Sequence, residues 1–161
     1  MTHPADDATT RIPPRWFIRA AWRVHRMIYR LSNRRRGLRR PTPTQYGMMA
    51  LRTTGRRTGD ERLAIVAYLD DGDNLVTMAM NGWQQAPPAW WLNLQEQPEA
   101  HVELRGEPTP RPVRARAAVG AEHDRLWAAF RELADEGADL DALARLRSSA
   151  TPLVVLEPRT Q

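Results

Sequence analysis

Between residues 14 and 32, Phe17, Ala20, Ala21, Val24, Met27, Ile28 and Leu31 recur every three or four positions, and Arg15, Arg19, Arg23, Arg26 and Arg30 fall between them. That period predicts an amphipathic helix with one apolar and one cationic face. Pro13-Pro14 suits its start, because a proline at the first helical position gives up only an amide that has no partner within the helix. Arg34, Arg35, Arg36, Arg39 and Arg40 follow, and Pro41 and Pro43 predict a linker.

Beyond the linker the pattern changes to short runs broken by turn residues. Residues 45–52 and 62–69 read as strands around a turn at 53–60, and Asp70-Asp71-Gly72-Asp73 is a hairpin signal leading into a third strand at 74–80. After Asn81-Gly82, Pro87-Pro88 opens a short helix through Trp90, Trp91 and Leu94 that Pro98 ends. Residues 100–107 and 112–119 read as two further strands. Residues 121–146 read as helix, with Leu126, Trp127, Phe130, Leu133 and Ala134 on one stripe and a break at Gly137. A last strand is expected at 153–156. Short strands with a few covering helices point to a small β-barrel or an α+β sheet.

The chain has 161 residues, 42% hydrophobic and 27% charged, enough for one domain with a core of its own. It has no cysteine, which removes disulfides, thiolate nucleophiles, iron–sulfur clusters and sulfur-ligated zinc. All 24 basic residues are arginine, so neither a Schiff-base lysine nor a phosphate-loop lysine is available. The charge is also uneven. Residues 8–59 hold 14 arginines and no acid, whereas residues 60–161 hold 10 arginines and 17 acids. The first third is built to face something negative. No apolar run reaches membrane-spanning length and no segment reads as a signal peptide, so a cytoplasmic protein is expected.

Catalytic motifs of the common kinds are missing. His3, His25, His101 and His123 stand apart, and His101-Val102-Glu103 lacks the cysteine half of a zinc deaminase site, so no metal is expected. Neither GxSxG nor GxGxxG occurs. What the sequence offers is a loop, Thr53-Thr54-Gly55-Arg56-Arg57-Thr58-Gly59-Asp60-Glu61-Arg62, in which backbone amides and guanidinium forks could wrap a phosphate, or which is simply an exposed hairpin. A second segment, Met80-Asn81-Gly82-Trp83 followed by Pro88-Ala89-Trp90-Trp91-Leu92-Asn93-Leu94, sets a glycine turn before a proline-started helix with paired indoles. Those indoles either flank a planar ligand or fill the core.

In this order and separation, the two segments resemble the deazaflavin-dependent nitroreductase family of flavin/deazaflavin split β-barrel oxidoreductases. The likeness runs from about Leu51 to Leu104, and the closing Pro152-Leu153-Val154-Val155-Leu156-Glu157-Pro158 is similar too. The resemblance implies a six-stranded antiparallel split β-barrel over residues 44–161, preceded by a basic arm over residues 1–43. It implies coenzyme F420 as cofactor. Thr54, Gly55, Arg56, Arg57, Thr58 and Arg62 would hold its phosphate, Met80, Asn81 and Gly82 would line the deazaflavin ring, and Pro88, Ala89 and Trp90 would contact it. FMN is the alternative cofactor.

The implied activity is hydride transfer from reduced deazaflavin to a flat organic acceptor, a quinone, enone or nitro compound. A non-catalytic deazaflavin-binding protein is the alternative. Relative to the family pattern, Met80 and Trp83 replace a serine and a second glycine beside the ring, Ala67 replaces a tyrosine, and residues 135–150 supply no tyrosine. This favours a quinone or another flat enone-like acceptor over a nitroimidazole. The basic arm suits an anionic membrane surface at residues 14–40 or packing on the barrel, and nucleic acid has only charge in its favour. Barrels of this type also pair into homodimers.

Overall fold

The structure is a computed structural model that describes Ala20 and residues 37–82, 84–134 and 139–159. The helix expected over 14–32, apart from Ala20, and Trp83 lie outside the described residues. Six strands, β1 (Gly47–Thr54), β2 (Glu61–Asp71), β3 (Asn74–Met78), β4 (Glu99–Glu103), β5 (Arg111–Ala117) and β6 (Leu153–Pro158), are joined by α1 (Ala89–Glu96), α2 (Gly120–Glu132) and α3 (Leu140–Arg145). They form a closed antiparallel barrel in the order β1-β2-β3-β6-β5-β4, with β4 pairing back onto β1. Closure leaves no strand edge unpaired.

Alternation along the strands sets what faces inward. Met49 and Leu51 of β1, Val66 and Tyr68 of β2, Ala100 and Val102 of β4, Val113 and Ala115 of β5, and Val154 and Leu156 of β6 form the interior core. The residues between them on β3 and β6, Val76, Met78, Leu153 and Val155, face out and are covered by Leu126 and Phe130 of α2 and Leu140 of α3. The unbroken apolar run Leu153-Val154-Val155-Leu156 follows from this, because β6 is buried on both faces. Trp90, Trp91 and Leu94 of α1 join the interior core.

Several boundaries differ from the sequence reading. The helix expected over 121–146 with a break at Gly137 is two helices, each shorter than expected: α2 is capped at Leu133 and α3 is started by Asp139, whose carboxylate accepts from Ala142 N–H at 2.9 Å, while Gly137 lies outside the described residues. β3 stops at Met78, because Ala79 N–H turns to the Pro152 carbonyl at 2.8 Å and Met80 N–H to the Met78 carbonyl at 2.9 Å. The strand expected to reach residue 107 ends at Glu103. The linker expected before Pro43 is docked: Arg39 and Met48 exchange backbone bonds of 3.1 and 2.9 Å, and Leu38 is buried against Ala50 and Ile65 on the outer face of β1 and β2.

Candidate cofactor site

The turn between β1 and β2 is tight. Gly55 N–H donates to the Asp60 carbonyl at 2.7 Å, and Gly59 N–H donates to the Gly55 carbonyl at 2.8 Å. Glycine is needed at both ends. A Cβ on Gly55 would stand 3.0 Å from the Asp60 carbonyl oxygen and 3.2 Å from Arg62 Nε, and Gly59 has φ +73°. Thr54 is the last residue of β1, opposite Glu61.

Most of the turn's amides, which the sequence reading offered to a phosphate, are already engaged. The N–H groups of Gly55, Thr58 and Gly59 bond within the turn, Asp60 N–H reaches Thr58 Oγ1 at 3.4 Å, and Arg56 N–H donates to Asn93 Oδ1 at 3.2 Å. The six-residue connection, 55–60, thus has most of its amides engaged, which leaves anion binding mainly to the side chains. Arg56 and Arg57 are exposed, and neither pairs with an acid among the described residues. Arg62 does reach back, donating from Nη2 to Thr58 Oγ1 and to Asp60 Oδ2, both at 3.1 Å, while Thr58 Oγ1 donates to Asp60 Oδ2 at 2.8 Å. Arg52, a neighbour of the loop in sequence, is instead committed to Glu61 and Glu103.

Asn93 lies in the segment that carries the family likeness but was not among the expected site residues. It is 4% exposed on α1, where Nδ2 donates to Thr53 Oγ1 at 3.1 Å and Oδ1 accepts from Arg56 N–H and, at 3.4 Å, from Arg56 Nη1. One amide thus ties α1 to the end of β1 and to the arginine turn. The sequence signal was available: an asparagine at i+3 from Trp90, on the apolar stripe of a helix, has to find polar partners inside the protein.

Of the residues expected beside a ring, Met80 packs against the outer core and Asn81 and Gly82 are half-buried, with Gly82 at φ +58°. β3 runs back along β2 from Asp71 toward the arginine turn, its Thr77 opposite Tyr68, so the segment after Met78 continues toward that same end of the barrel. Pro88 is the N-cap of α1 with no side-chain cap bond, and Ala89 after it is exposed. Trp90 and Trp91 are each 8% exposed and meet edge to face at 6.5 Å within the interior core. The indoles therefore close the barrel here, and what the start of α1 presents outward is Ala89 and free backbone N–H.

The arginine turn and α1 are thus joined through Asn93, and the post-β3 segment runs toward the same end of the barrel. A family model described as F420H2-dependent quinone reductase matches residues 21–158. The chain belongs to the F420H2-dependent quinone reductase family. A Mycobacterium tuberculosis H37Rv protein that carries this designation provisionally is 31% identical over 123 residues, covering 76% of this chain and 96% of its own length. Another from the same strain, named F420H2-dependent quinone reductase Rv1261c, is 32% identical over 108 residues, 65% of this chain and 69% of its own. The fold matches a solved chain described as a domain-swapped dimer (TM-score 0.63, 18% identity, 90% of this chain and 100% of that one). It also matches an F420H2-dependent reductase termed FDR-A (TM-score 0.59, 19% identity, 68% and 93%).

Family membership makes the protein an oxidoreductase and coenzyme F420 its cofactor; the FMN and carrier readings gain nothing from it. The donor set fits the anionic part of that coenzyme. Two exposed guanidiniums without carboxylate partners, a third shared with Asp60 and a threonine hydroxyl are the groups that bind phosphate, and the reach of arginine suits it better than a point charge.

Proposed function

We propose that the protein transfers a hydride from reduced F420 to a flat organic acceptor, with quinones the first class to test ahead of enones and nitro compounds. The observation that supports this reading is the arginine turn, whose Arg56 and Arg57 have no acid partner among the described residues and which is fixed to α1 through Asn93. Bound F420H2 supplies the hydride. The chain's own residues have narrower tasks. Arg56, Arg57 and Arg62, with Thr58, hold the phosphate and acidic tail; Thr54 and Gly55 shape the turn. Met80, Asn81 and Gly82 line the ring, while Pro88, Ala89 and Trp90 bound it from the start of α1. Trp90 acts from within the core, setting where Ala89 stands. Orientation and exclusion of water are what such a site contributes, since the cofactor carries the chemistry.

The wider organisation is proposed on the same footing. Residues 1–43 form a basic arm and 44–161 the barrel, with Leu38 and Arg39 already docked on it. The arm's arginines favour an anionic membrane surface on the cytoplasmic side, which would bring the site to membrane-dissolved quinones. No helix among the described residues is long and apolar enough to cross a membrane. A homodimer is proposed by analogy with the domain-swapped neighbour.

The deciding experiment titrates F420 against the wild type and the double variant Arg56→Ala/Arg57→Ala while following cofactor fluorescence. Binding should weaken by at least about a hundredfold, because two charge-assisted contacts at ~1.5 kcal/mol each are removed, with the unfolding midpoint unchanged. Equal affinity in the two proteins would refute the phosphate assignment.

A further inference from the structure

Arg147 follows α3 and is 7% exposed. Its Nη1 donates to Thr151 Oγ1 at 2.7 Å and, weakly, to the Ala79 carbonyl at 3.5 Å, while its buried Nε has no hydrogen-bond partner. No carboxylate lies within ion-pair distance of it among the described residues. The contrast with other arginines is sharp: Arg52 bridges Glu61 and Glu103, and Arg116 bridges Glu122 and Glu157. Burial alone pulls the Arg147 guanidinium below the usual arginine range. A buried cation without a counter-ion carries a large desolvation penalty, and replacement by an apolar residue commonly raises stability. Its retention therefore asks for an explanation outside folding.

Its place in the fold supplies one. Ala79, whose carbonyl Arg147 reaches, immediately precedes Met80–Gly82, the stretch assigned above to the ring side. The loop carrying Arg147 is fastened on either side of that stretch: Ala79 N–H donates to the Pro152 carbonyl at 2.8 Å, and Gln85 bonds Leu146 and Ser148. In that clamp Gln85 Nε2 donates to the Leu146 carbonyl at 2.7 Å, and Gln85 Oε1 accepts from Ser148 N–H at 2.7 Å and Oγ at 2.8 Å. The guanidinium is thus held at the residue that leads into the ring-side stretch, with its Nε uncommitted among the described residues.

We propose that Arg147 binds the electron-rich oxygen of the acceptor and stabilises the oxyanion that forms there. This rests on the reductase reading above. A quinone that receives a hydride gains two electrons and one proton; one carbonyl oxygen becomes the hydroquinone monoanion, and a proton from water completes the hydroquinone. A guanidinium keeps its own proton, so Arg147 acts by charge and hydrogen bonding alone.

The test uses full-length protein loaded with oxidised F420, so that no turnover occurs, and two probes: 2-hydroxy-1,4-naphthoquinone, an anion at neutral pH, and neutral 2-methyl-1,4-naphthoquinone. Binding is read by thermal shift. The wild type should bind the anion more tightly than the neutral quinone, Arg147→Met should lose at least about tenfold for the anion with little change for the neutral probe, and Arg147→Lys should retain most of the preference. In turnover with F420H2, Arg147→Met should lower kcat for the neutral quinone more than it alters KM, as expected for a contact made in the transition state. F420 affinity by fluorescence should be unchanged, and the Tm of Arg147→Met should be equal or higher. No anion preference in the wild type, equal anion affinity in Arg147→Met, or a collapse of its fold would each overturn the proposal. A wild type that fails to bind F420 or to reduce the neutral quinone instead sinks the reductase reading, so the two failures are separable.

Discussion

Replacing Asn93 by alanine probes the link between fold and site most directly. The amide makes two bonds of ordinary length, to Thr53 Oγ1 at 3.1 Å and from Arg56 N–H at 3.2 Å, and a longer one from Arg56 Nη1 at 3.4 Å. The first two contribute about 1 kcal/mol each, and the long partly solvated third adds less. Truncation also leaves the Thr53 hydroxyl, 2% exposed, without its amide partner. The total is about 3 kcal/mol, or roughly 6–12 °C in Tm for a domain of this size. Urea unfolding followed by tryptophan fluorescence measures it, helped by the burial of Trp90 and Trp91. Because the same amide fixes the arginine turn, F420 affinity measured well below the unfolding transition should also fall, by about tenfold or ~1.4 kcal/mol. Coupling to Thr53→Val in a double-mutant cycle should be about 1 kcal/mol. A stability loss under ~0.5 kcal/mol, or a full loss with F420 affinity untouched, would refute the idea that Asn93 joins core and site.

Two further outcomes follow from charges and orphaned groups. Tyr68 is fully buried with a partnerless hydroxyl, and burial, followed by the charge of Asp70, pushes its ionisation up to about 12. Its folded value lies above the unfolded value of about 10, so its contribution is whole below pH 10 and declines as pH rises toward 12, by about 3 kcal/mol. Tyr68→Phe should lack that alkaline step and be no less stable at pH 7, as urea unfolding across pH 7–12 would show; a loss above ~1 kcal/mol at neutral pH contradicts this. Asp60→Asn should free Arg62 and Thr58 and remove a negative charge from the turn, tightening F420 about threefold at low salt and less at high salt. Unchanged fluorescence titrations at both salt levels would count against the turn.

The sequence alone determined the elements whose signals are local. Short runs bounded by turn residues placed the strands, glycine and proline placed the turns, and the ordered pair Thr53–Arg62 and Pro88–Pro98 carried the family likeness. Spacing was enough because those features depend on backbone geometry within a few residues. Tertiary structure decided the rest. That the Trp90 and Trp91 indoles belong to the interior core, that the amides of Gly55, Thr58 and Gly59 are used within the turn, that Leu38 joins the barrel, and that Asn93 ties α1 to Arg56 are consequences of which surfaces meet. Arg147 shows the reason most plainly. Its sequence neighbours give no hint of a buried, uncompensated charge beside Ala79, 68 positions away, because desolvation is a property of the whole packed protein and not of any stretch of chain.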